Sequence, residues 1–288
     1  MEYEGRICRA GSERGSFMLP TAVGCSYNGC LFCGLFKDLK YRELELSDVR
    51  AELERVKSLG ADPSVVYLGD GNAFHQSFER LVGIAEMLHE YFPSLKEIRM
   101  DSTVPDIARK SADELKVLAQ LGVGRLYIGI ETALPDVLLR MKKCHTSDMA
   151  LRETDRLHEA GIRYAAHVMF GIAGKGRGEE NAKALAAFIN RTEPALTVNF
   201  SFFPGRLEEE LGAGRFTRAG EAETLLEDKV FSGLVSVPMD YESYHDNYSE
   251  ATKFHLKGSF PKDRERFLKR LDSVLEKLEH TKQFPTVL

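Results

Sequence analysis

The sequence predicts an α/β fold in which parallel strands alternate with helices. Between about residues 17 and 203 of this 288-residue chain, six short apolar runs alternate with five segments of helical periodicity. That alternation is typical of parallel strands joined by right-handed helical crossovers. The strands are continuously apolar, as at Val65–Leu68, which indicates that helices cover one face and a packed interior the other. The pattern alone does not distinguish an open doubly wound sheet from a closed or partial barrel.

The chain order of the elements follows from apolar runs and helix-end signals. The predicted strands are Phe17–Val23, Val65–Gly69, Glu97–Ser102, Arg125–Glu131, Arg163–Phe170 and Leu196–Phe202. The predicted helices are 47–59, Phe78–Tyr91, 111–121, 147–160 and Glu179–Asn190. Ser111 and Glu114 have the spacing of a capping box, and Gly122 marks the end of that helix.

After residue 205 the alternation breaks down. We predict that residues 206–288 form a C-terminal extension that packs on residues 1–205 as a single structural unit. Leu207–Phe216 and Glu221–Lys229 indicate an acidic linker followed by a helix. Met239–Tyr248 is predicted to be a polar loop, which either closes over a substrate or is a solvated turn. Lys262–His280 is predicted to be a charged amphipathic helix.

The composition is that of an ordinary soluble protein, with 43% hydrophobic and 29% charged residues. A net charge of −5 does not favour nucleic acid or an anionic membrane as a partner. No apolar run reaches the ~18 residues of a membrane span, and the N-terminus lacks a signal-peptide core. Five cysteines, three of them clustered, favour metal-bound thiolates in a reducing cytoplasm over a disulfide scaffold.

Three cysteines in a short loop, 24–37, carry the strongest chemical signal. Cys25, Cys30 and Cys33 lie within nine residues, and a glycine-containing loop can turn all three sulfurs inward. A cubane iron–sulfur cluster has four irons, so three thiolates leave one iron open to another ligand. The alternative is a zinc site completed by a histidine. The sequence has no second Cys-x2-Cys pair and no His-x3-His pair to support it.

A first strand followed by this loop resembles the radical S-adenosylmethionine (radical SAM) enzymes, whose usual fold is a partial (β/α)6, TIM-like barrel. The spacing Cys-x4-Cys-x2-Cys is one residue longer in its first gap than the common family pattern. The Cys-Ser-Tyr-Asn loop, Leu68–Ala73 and Asn247–Tyr248 narrow the resemblance further. They point to a poorly characterised group in the branch of oxygen-independent coproporphyrinogen oxidase and the Elongator catalytic subunit.

The resemblance implies that Cys25, Cys30 and Cys33 hold a [4Fe-4S] cluster and that S-adenosylmethionine binds the fourth iron. Phe32 would have its backbone near the adenine, and the turn Gly69–Asn72 would receive the amino group of S-adenosylmethionine. Other implied positions follow the later strands, where parallel α/β barrels have their active sites. The implied cofactor-binding residues are Phe32, Gly69, Asp70, Gly71, Asn72, Ser102, Glu131, His167, Gly171 and Asn199.

The same resemblance implies an oxygen-sensitive enzyme that cleaves S-adenosylmethionine reductively to a 5′-deoxyadenosyl radical, which abstracts hydrogen from a substrate. We expect a small-molecule substrate and a one-electron donor such as flavodoxin or ferredoxin. No residue is assigned a catalytic role toward the substrate. The alternatives are a non-catalytic iron–sulfur or zinc protein, and a barrel enzyme with a peripheral cysteine site.

Some of these residues also have purely structural interpretations. Glu131, at the end of an apolar strand, needs a partner, and the alternative to a ligand is a salt bridge with a neighbouring Lys or Arg. His167 is compatible with a hydrogen-bonded core histidine, and Asn199 with a core polar residue.

Overall fold

The computed structural model describes residues 11–200, 207, 212–245 and 254–283. Its strands are β1 (Phe17–Gly24), β2 (Arg42–Glu43), β3 (Val65–Gly71), β4 (Glu97–Ser102), β5 (Val123–Glu131), β6 (Arg163–Val168), β7 (Leu196–Asn199), β8 (Met239–His245) and β9 (Phe254–Phe260). Its helices are α1 (Leu46–Ser58), α2 (Phe78–Tyr91), α3 (Val104–Ala108), α4 (Ala112–Gln120), α5 (Pro135–Arg140), α6 (Ser147–Ala160), α7 (Gly178–Thr192), α8 (Glu221–Leu234) and α9 (Arg264–Gln283). The predicted alternation of strands and helices is confirmed.

The chain divides into two compact units. The first comprises Met1–Gly129 and Asp148–Ala165, and the second comprises Ile130–Ser147 and Ala166–Leu288. Strands β5 and β6 each begin in the first unit and end in the second. The boundary predicted near residue 205 stays a prediction.

Parallel pairing builds the sheet of the first unit. Its strand order is β2-β1-β3-β4-β5, with Leu19 opposite Leu68 and Val66 opposite Ile98. The short strand β2 is antiparallel to β1. Along β4 the even-numbered residues are buried and the odd-numbered ones are partly exposed, so the strand has two distinct faces. The predicted capping box is confirmed, since Oγ of Ser111 accepts the N–H of Glu114 at 3.1 Å.

The second unit has an aromatic core between strands and helices. β7 pairs in parallel with β8, and β8 pairs antiparallel with β9. Phe231 of α8 lies with its ring centre 5.5 Å from that of Phe170 and 5.8 Å from that of Tyr241. The ring centre of Phe267 on α9 lies 5.6 Å from that of Tyr241.

The predicted polar loop Met239–Tyr248 is wrong over its first seven residues, which form the buried strand β8. Its polar residues have partners in the second unit: the carboxylate of Asp228 on α8 accepts from Tyr241 at 2.7 Å and from Ser243 at 2.7 Å. Polar side chains therefore alternate into a satisfied buried network, which hydropathy alone does not reveal. The remainder of the predicted loop, residues 246–248, lies outside the described residues.

None of the helices in the described parts of the chain is long and apolar enough to cross a membrane.

Candidate functional site

The cysteine loop begins where β1 ends and is folded by polar contacts of Asn28. The side-chain amide of Asn28 donates to the backbone carbonyl of Phe36 at 2.7 Å, and the backbone carbonyl of Asn28 accepts from Nζ of Lys37 at 2.5 Å. The backbone N–H of Asn28 lies 3.4 Å from Sγ of Cys25 and donates to it. This contact holds Sγ of Cys25 in a fixed position at the start of the loop.

Cys25, Cys30 and Cys33 are all half-buried, and the described cysteines form no disulfide with one another. Among the described residues, no three His, Cys, Asp or Glu side chains form a group that could hold a single metal ion. In a cubane each thiolate binds a different iron, so the sulfurs lie farther apart than around one zinc ion. The donor set and the N–H aimed at Cys25 fit an iron–sulfur cluster. Cys144 lies apart in sequence, and Cys8 is outside the described residues.

Phe32, the aromatic residue before the last of the three cysteines, is buried at 7% exposure. Its neighbours in the loop include two exposed apolar side chains, Tyr27 and Leu35. Burial of Phe32 fixes the loop backbone at this point, as the proposed adenine contact requires.

The predicted turn Gly69–Asn72, which in the structure is the end of β3 followed by Asn72, packs directly on the cysteine loop. Gly71 has φ of +143°, and a Cβ at this position would lie 2.1 Å from the carbonyl oxygen of Gly24. The N–H of Asn72 donates to the same oxygen at 3.3 Å. Asp70 and Asn72 are buried, at 1% and 4% exposure. The backbone of Gly69–Asn72 and the start of the cysteine loop therefore form one packed structure in the first unit.

Asn72 is held by a buried acid that sequence reasoning missed. Its Nδ2 donates to Oδ2 of Asp106 at 2.6 Å and to Oγ of Ser26, beside Cys25, at 2.7 Å. Burial tends to raise the pKa of Asp106, but hydrogen bonds from Thr103, Asn72 and His75 outweigh it and hold that pKa below its usual range. Nothing in the sequence marks Asp106, which reads as an ordinary acid in the first turn of α3.

The end of β4 presents Asp101 and Ser102 on opposite faces. Ser102 is buried, and its hydroxyl donates locally to the carbonyl of Thr103 at 3.0 Å. Burial raises the pKa of Asp101 to about 7, while a hydrogen bond with Tyr67 opposes the shift and the charge of Glu13 adds to it. Strand alternation indicates that the two side chains face opposite sides of the sheet. The sequence prediction selected Ser102, whereas Asp101 is the residue whose pKa is shifted by its surroundings.

In the second unit, Glu131 has the partner that its position at the end of an apolar strand demands. Nζ of Lys143 lies 3.2 Å from Oε1 of Glu131, and the two side chains are 7% and 8% exposed. Oε2 of Glu131 is buried and has no hydrogen-bond partner among the described residues. Burial raises the pKa of Glu131, and the nearby ammonium of Lys143 opposes that shift. The salt bridge is therefore present, and one carboxylate oxygen remains for a ligand.

His167 lies on β6 with its ring edge-on to Phe200, at 5.0 Å between ring centres. Burial lowers the pKa of His167 to about 4, and the charge of Lys143 adds to this effect. The imidazole is consequently neutral at physiological pH and suited to hydrogen bonding or packing rather than to an ionic contact.

Gly171, in the segment after β6, is anchored through its backbone. Its N–H donates to Oε2 of Glu227 on α8 at 2.8 Å, and Nδ2 of Asn181 donates to Oε1 at 2.6 Å. The hydroxyl of Thr132 donates in turn to Oδ1 of Asn181. This buried chain joins Thr132, which directly follows Glu131 at the end of β5, to the segment after β6. Burial raises the pKa of Glu227 to about 8.

Both polar atoms of the Asn199 side chain are used inside the second unit. Oδ1 accepts the N–H of Phe170 at 3.0 Å, and Nδ2 donates to Oγ of Ser243 at 2.9 Å. At 1% exposure, Asn199 has the contacts of a core polar residue that fixes the backbone at Phe170. This is the structural interpretation left open for Asn199 by its sequence.

A family model supplies the identification. The model described as the radical SAM superfamily matches residues 19–189, more than half of the chain. The chain belongs to the radical SAM superfamily. It is accordingly an enzyme of the type that uses a [4Fe-4S] cluster and S-adenosylmethionine.

Three known proteins illustrate the relationship. The heme chaperone HemW of Bacillus subtilis (strain 168) is 28% identical over 118 residues, which is 40% of this chain and 30% of HemW. The radical SAM methyltransferase TsrM from Kitasatospora setae, with cobalamin and a [4Fe-4S] cluster bound, superposes with a TM-score of 0.54 at 19% identity, covering 70% of this chain and 41% of TsrM. The archaeal Methanocaldococcus infernus Elp3 superposes with a TM-score of 0.54 at 14% identity, covering 92% of this chain and 63% of Elp3.

The chain thus spans less than two thirds of each of these proteins. The structural similarities confirm the predicted α/β fold of the partial TIM-like barrel type. The family match confirms the predicted membership of the radical SAM superfamily.

Proposed function

We propose that this radical SAM enzyme holds its cluster through Cys25, Cys30 and Cys33 and acts on a small-molecule substrate. The observation that carries the proposal is the packing of the cysteine loop on the Gly69–Asn72 turn, through Gly71, Asn72 and Ser26. The residues on either side of Cys25, Gly24 and Ser26, thereby lie against a segment that carries buried oxygen acceptors. This arrangement suits a cluster with one iron reserved for the amino and carboxylate groups of S-adenosylmethionine.

When bound and reduced, the cluster and S-adenosylmethionine supply a 5′-deoxyadenosyl radical capable of hydrogen abstraction. The protein's own residues bind, orient and exclude water. The N–H of Asn28 orients Sγ of Cys25, and Oδ1 of Asn72 would accept from the amino group of bound S-adenosylmethionine. Ile128 is fully buried and contributes to an apolar, water-excluding surrounding.

Glu131 carries a separate proposal within the second unit. Its unpartnered Oε2 is an acceptor suited to a hydroxyl or N–H of a ligand, while Lys143 fixes the other oxygen. Anchoring of Gly171 by Glu227 supports the proposed role of this segment near adenine, since it leaves the backbone at a fixed position.

The substrate class and the redox partner follow from more general features. The net charge of −5 disfavours a large RNA footprint, so a small molecule is the favoured substrate. A one-electron donor such as flavodoxin or ferredoxin would reduce the cluster. We place the enzyme in the cytoplasm, where reducing conditions keep the thiolates available to iron.

The test is anaerobic reconstitution with iron and sulfide, followed by EPR spectroscopy of the reduced protein and an assay for 5′-deoxyadenosine. We expect a [4Fe-4S] signal that changes when S-adenosylmethionine is added, and formation of 5′-deoxyadenosine. Cys30→Ala should abolish both, whereas Cys144→Ala, the matched control outside the loop, should retain both. An iron-loaded protein that leaves S-adenosylmethionine intact would favour a non-catalytic cluster-binding protein, and a zinc-loaded one would overturn the cluster assignment.

A further inference from the structure

We propose that Asp106 is a positioning residue that fixes the side-chain amide of Asn72 with its oxygen toward the ammonium group of S-adenosylmethionine. The inference rests on the proposed function and assigns a role to a residue that makes no contact with the cofactor itself. The inference depends on whether the nitrogen or the oxygen of the Asn72 side-chain amide faces Asp106.

The hydrogen bonds determine the orientation of the amide. An ionised carboxylate only accepts hydrogen bonds, so the Asn72 atom 2.6 Å from Oδ2 of Asp106 must be the nitrogen. The hydroxyl of Ser26, 2.7 Å from the same nitrogen, accepts in this arrangement, but a hydroxyl could equally donate to an oxygen. Ser26 alone therefore does not select the orientation, and Asp106 does.

Asp106 is itself held in place on both of its oxygens. Oδ2 also accepts from the hydroxyl of Thr103 at 2.5 Å, and Oδ1 accepts from Nδ1 of His75 at 2.6 Å. Arg109 adds a charge at 3.6 Å from Oδ1. The carboxylate is only 3% exposed, so its position and ionised form are set by groups of the first unit.

The consequence is a buried acceptor reserved for a ligand. With both N–H groups of Asn72 directed to Asp106 and Ser26, Oδ1 is buried and has no hydrogen-bond partner among the described residues. A buried acceptor without a partner is costly, and a cationic N–H donor satisfies it with a strong bond. The reversed amide would present N–H groups to an ammonium, which is repulsive.

A double-mutant cycle tests this role. The affinity of the reconstituted protein for S-adenosylmethionine is measured calorimetrically with the cluster oxidised, so that no turnover occurs. Asp106→Ala should weaken binding about tenfold, the expected loss of a hydrogen bond to a charged group. In the Asn72→Ala background the same substitution should not change the affinity further, because Asp106 affects binding only through Asn72.

Controls separate this role from a structural one and from failure of the proposed function. Asp113→Ala, the matched control, removes a carboxylate of the same unit whose side chain is 97% exposed, and should change the affinity by less than about twofold. Iron content and melting temperature are recorded for every variant. An equal loss of affinity from Asp106→Ala in both backgrounds, no loss in either, or a loss that parallels loss of iron would overturn the inference. Absence of binding by the wild-type protein would instead refute the proposed function.

Discussion

Lys143 and Glu131 form an ion pair of 3.2 Å in which both side chains are almost completely buried. Removing one partner of such a pair leaves an uncompensated charge in a medium of low polarity. Because Oε2 of Glu131 already has no partner among the described residues, the carboxylate has no second group there to compensate the loss. We therefore expect a large loss in the free energy of unfolding when Lys143 is replaced.

Lys143→Met should destabilise the reconstituted protein by about 3–5 kcal/mol at neutral pH, the usual cost of breaking a buried pair. Burial raises the pKa of Glu131, and without Lys143 that pKa rises further. When the pKa of a carboxyl group is raised in the folded state, the protonated group favours folding at low pH. The protein loses this stability as the pH rises through the raised pKa. The deficit should therefore shrink as the pH falls. Urea unfolding at several pH values measures it.

The double variant Lys143→Met with Glu131→Gln is the control for this prediction. Neutralising both partners removes the buried charge, so much of the lost stability should return. If the single and double variants unfold at the same urea concentration, the pair is not the source of the effect.

Gly71→Ala should destabilise the protein by about 2–4 kcal/mol and reduce its iron content. The positive φ of residue 71 is strained for alanine, and the new methyl group would also collide with the backbone of Gly24. The methyl group would lie 2.1 Å from the carbonyl oxygen of Gly24, immediately before Cys25. The two segments would have to separate, which displaces the cysteine loop. Thermal melting and iron analysis of the purified variant give both quantities.

Gly83→Ala is the matched substitution. Gly83 lies within α2, and a Cβ there meets no heavy atom within 4 Å. Alanine has the higher helix propensity, so this variant should gain about 0.5–1 kcal/mol and load iron normally. A Gly71→Ala protein with wild-type iron content would show that the turn and the loop can move apart without consequence.

Much of the fold is predictable from the sequence because its signals are local. Apolar runs locate the first strands, and Ser111 with Glu114 locates the start of α4. Strand β8 is not predictable in this way. Its Ser243 and His245 look solvated in sequence, yet Asp228 accepts from Ser243 at 2.7 Å and lies 2.8 Å from Nε2 of His245. That partner is remote in sequence, and only tertiary structure brings it close.

The residues of the candidate site likewise fall into those that local sequence reveals and those that only tertiary contacts reveal. The three cysteines are recognisable because their chemistry depends on spacing within one loop. Asp106 is not recognisable, because its importance comes from the position of Asn72, 34 residues away. Asn199 is a different case, because its place on a predicted inward-facing strand suggests a ligand, and the structure shows protein partners for both of its amide atoms.

Glu227 should give the protein a pH-dependent stability that Glu227→Gln removes. Burial raises the pKa of Glu227 from its model-compound value of 4.5 to about 8. Between those two values the folded protein binds more protons at this position than the unfolded chain does. Stability therefore falls as the pH rises from about 4.5 to 8, by up to about 1.4 kcal/mol per pH unit.

A glutamine does not titrate, so the variant should have a flatter profile over the same range. Its side-chain oxygen can still accept the N–H of Gly171, as Oε2 does at 2.8 Å, and Asn181 can reverse its amide to meet the new N–H group. The free energy of unfolding at pH 5, 6, 7 and 8 decides the matter. Equal slopes for wild type and variant would mean that the buried carboxyl titrates in the folded protein as it does in the unfolded chain. In that case the carboxyl group of Glu227, which connects Gly171 to Asn181 and Thr132, would already be ionised in the folded protein over this pH range.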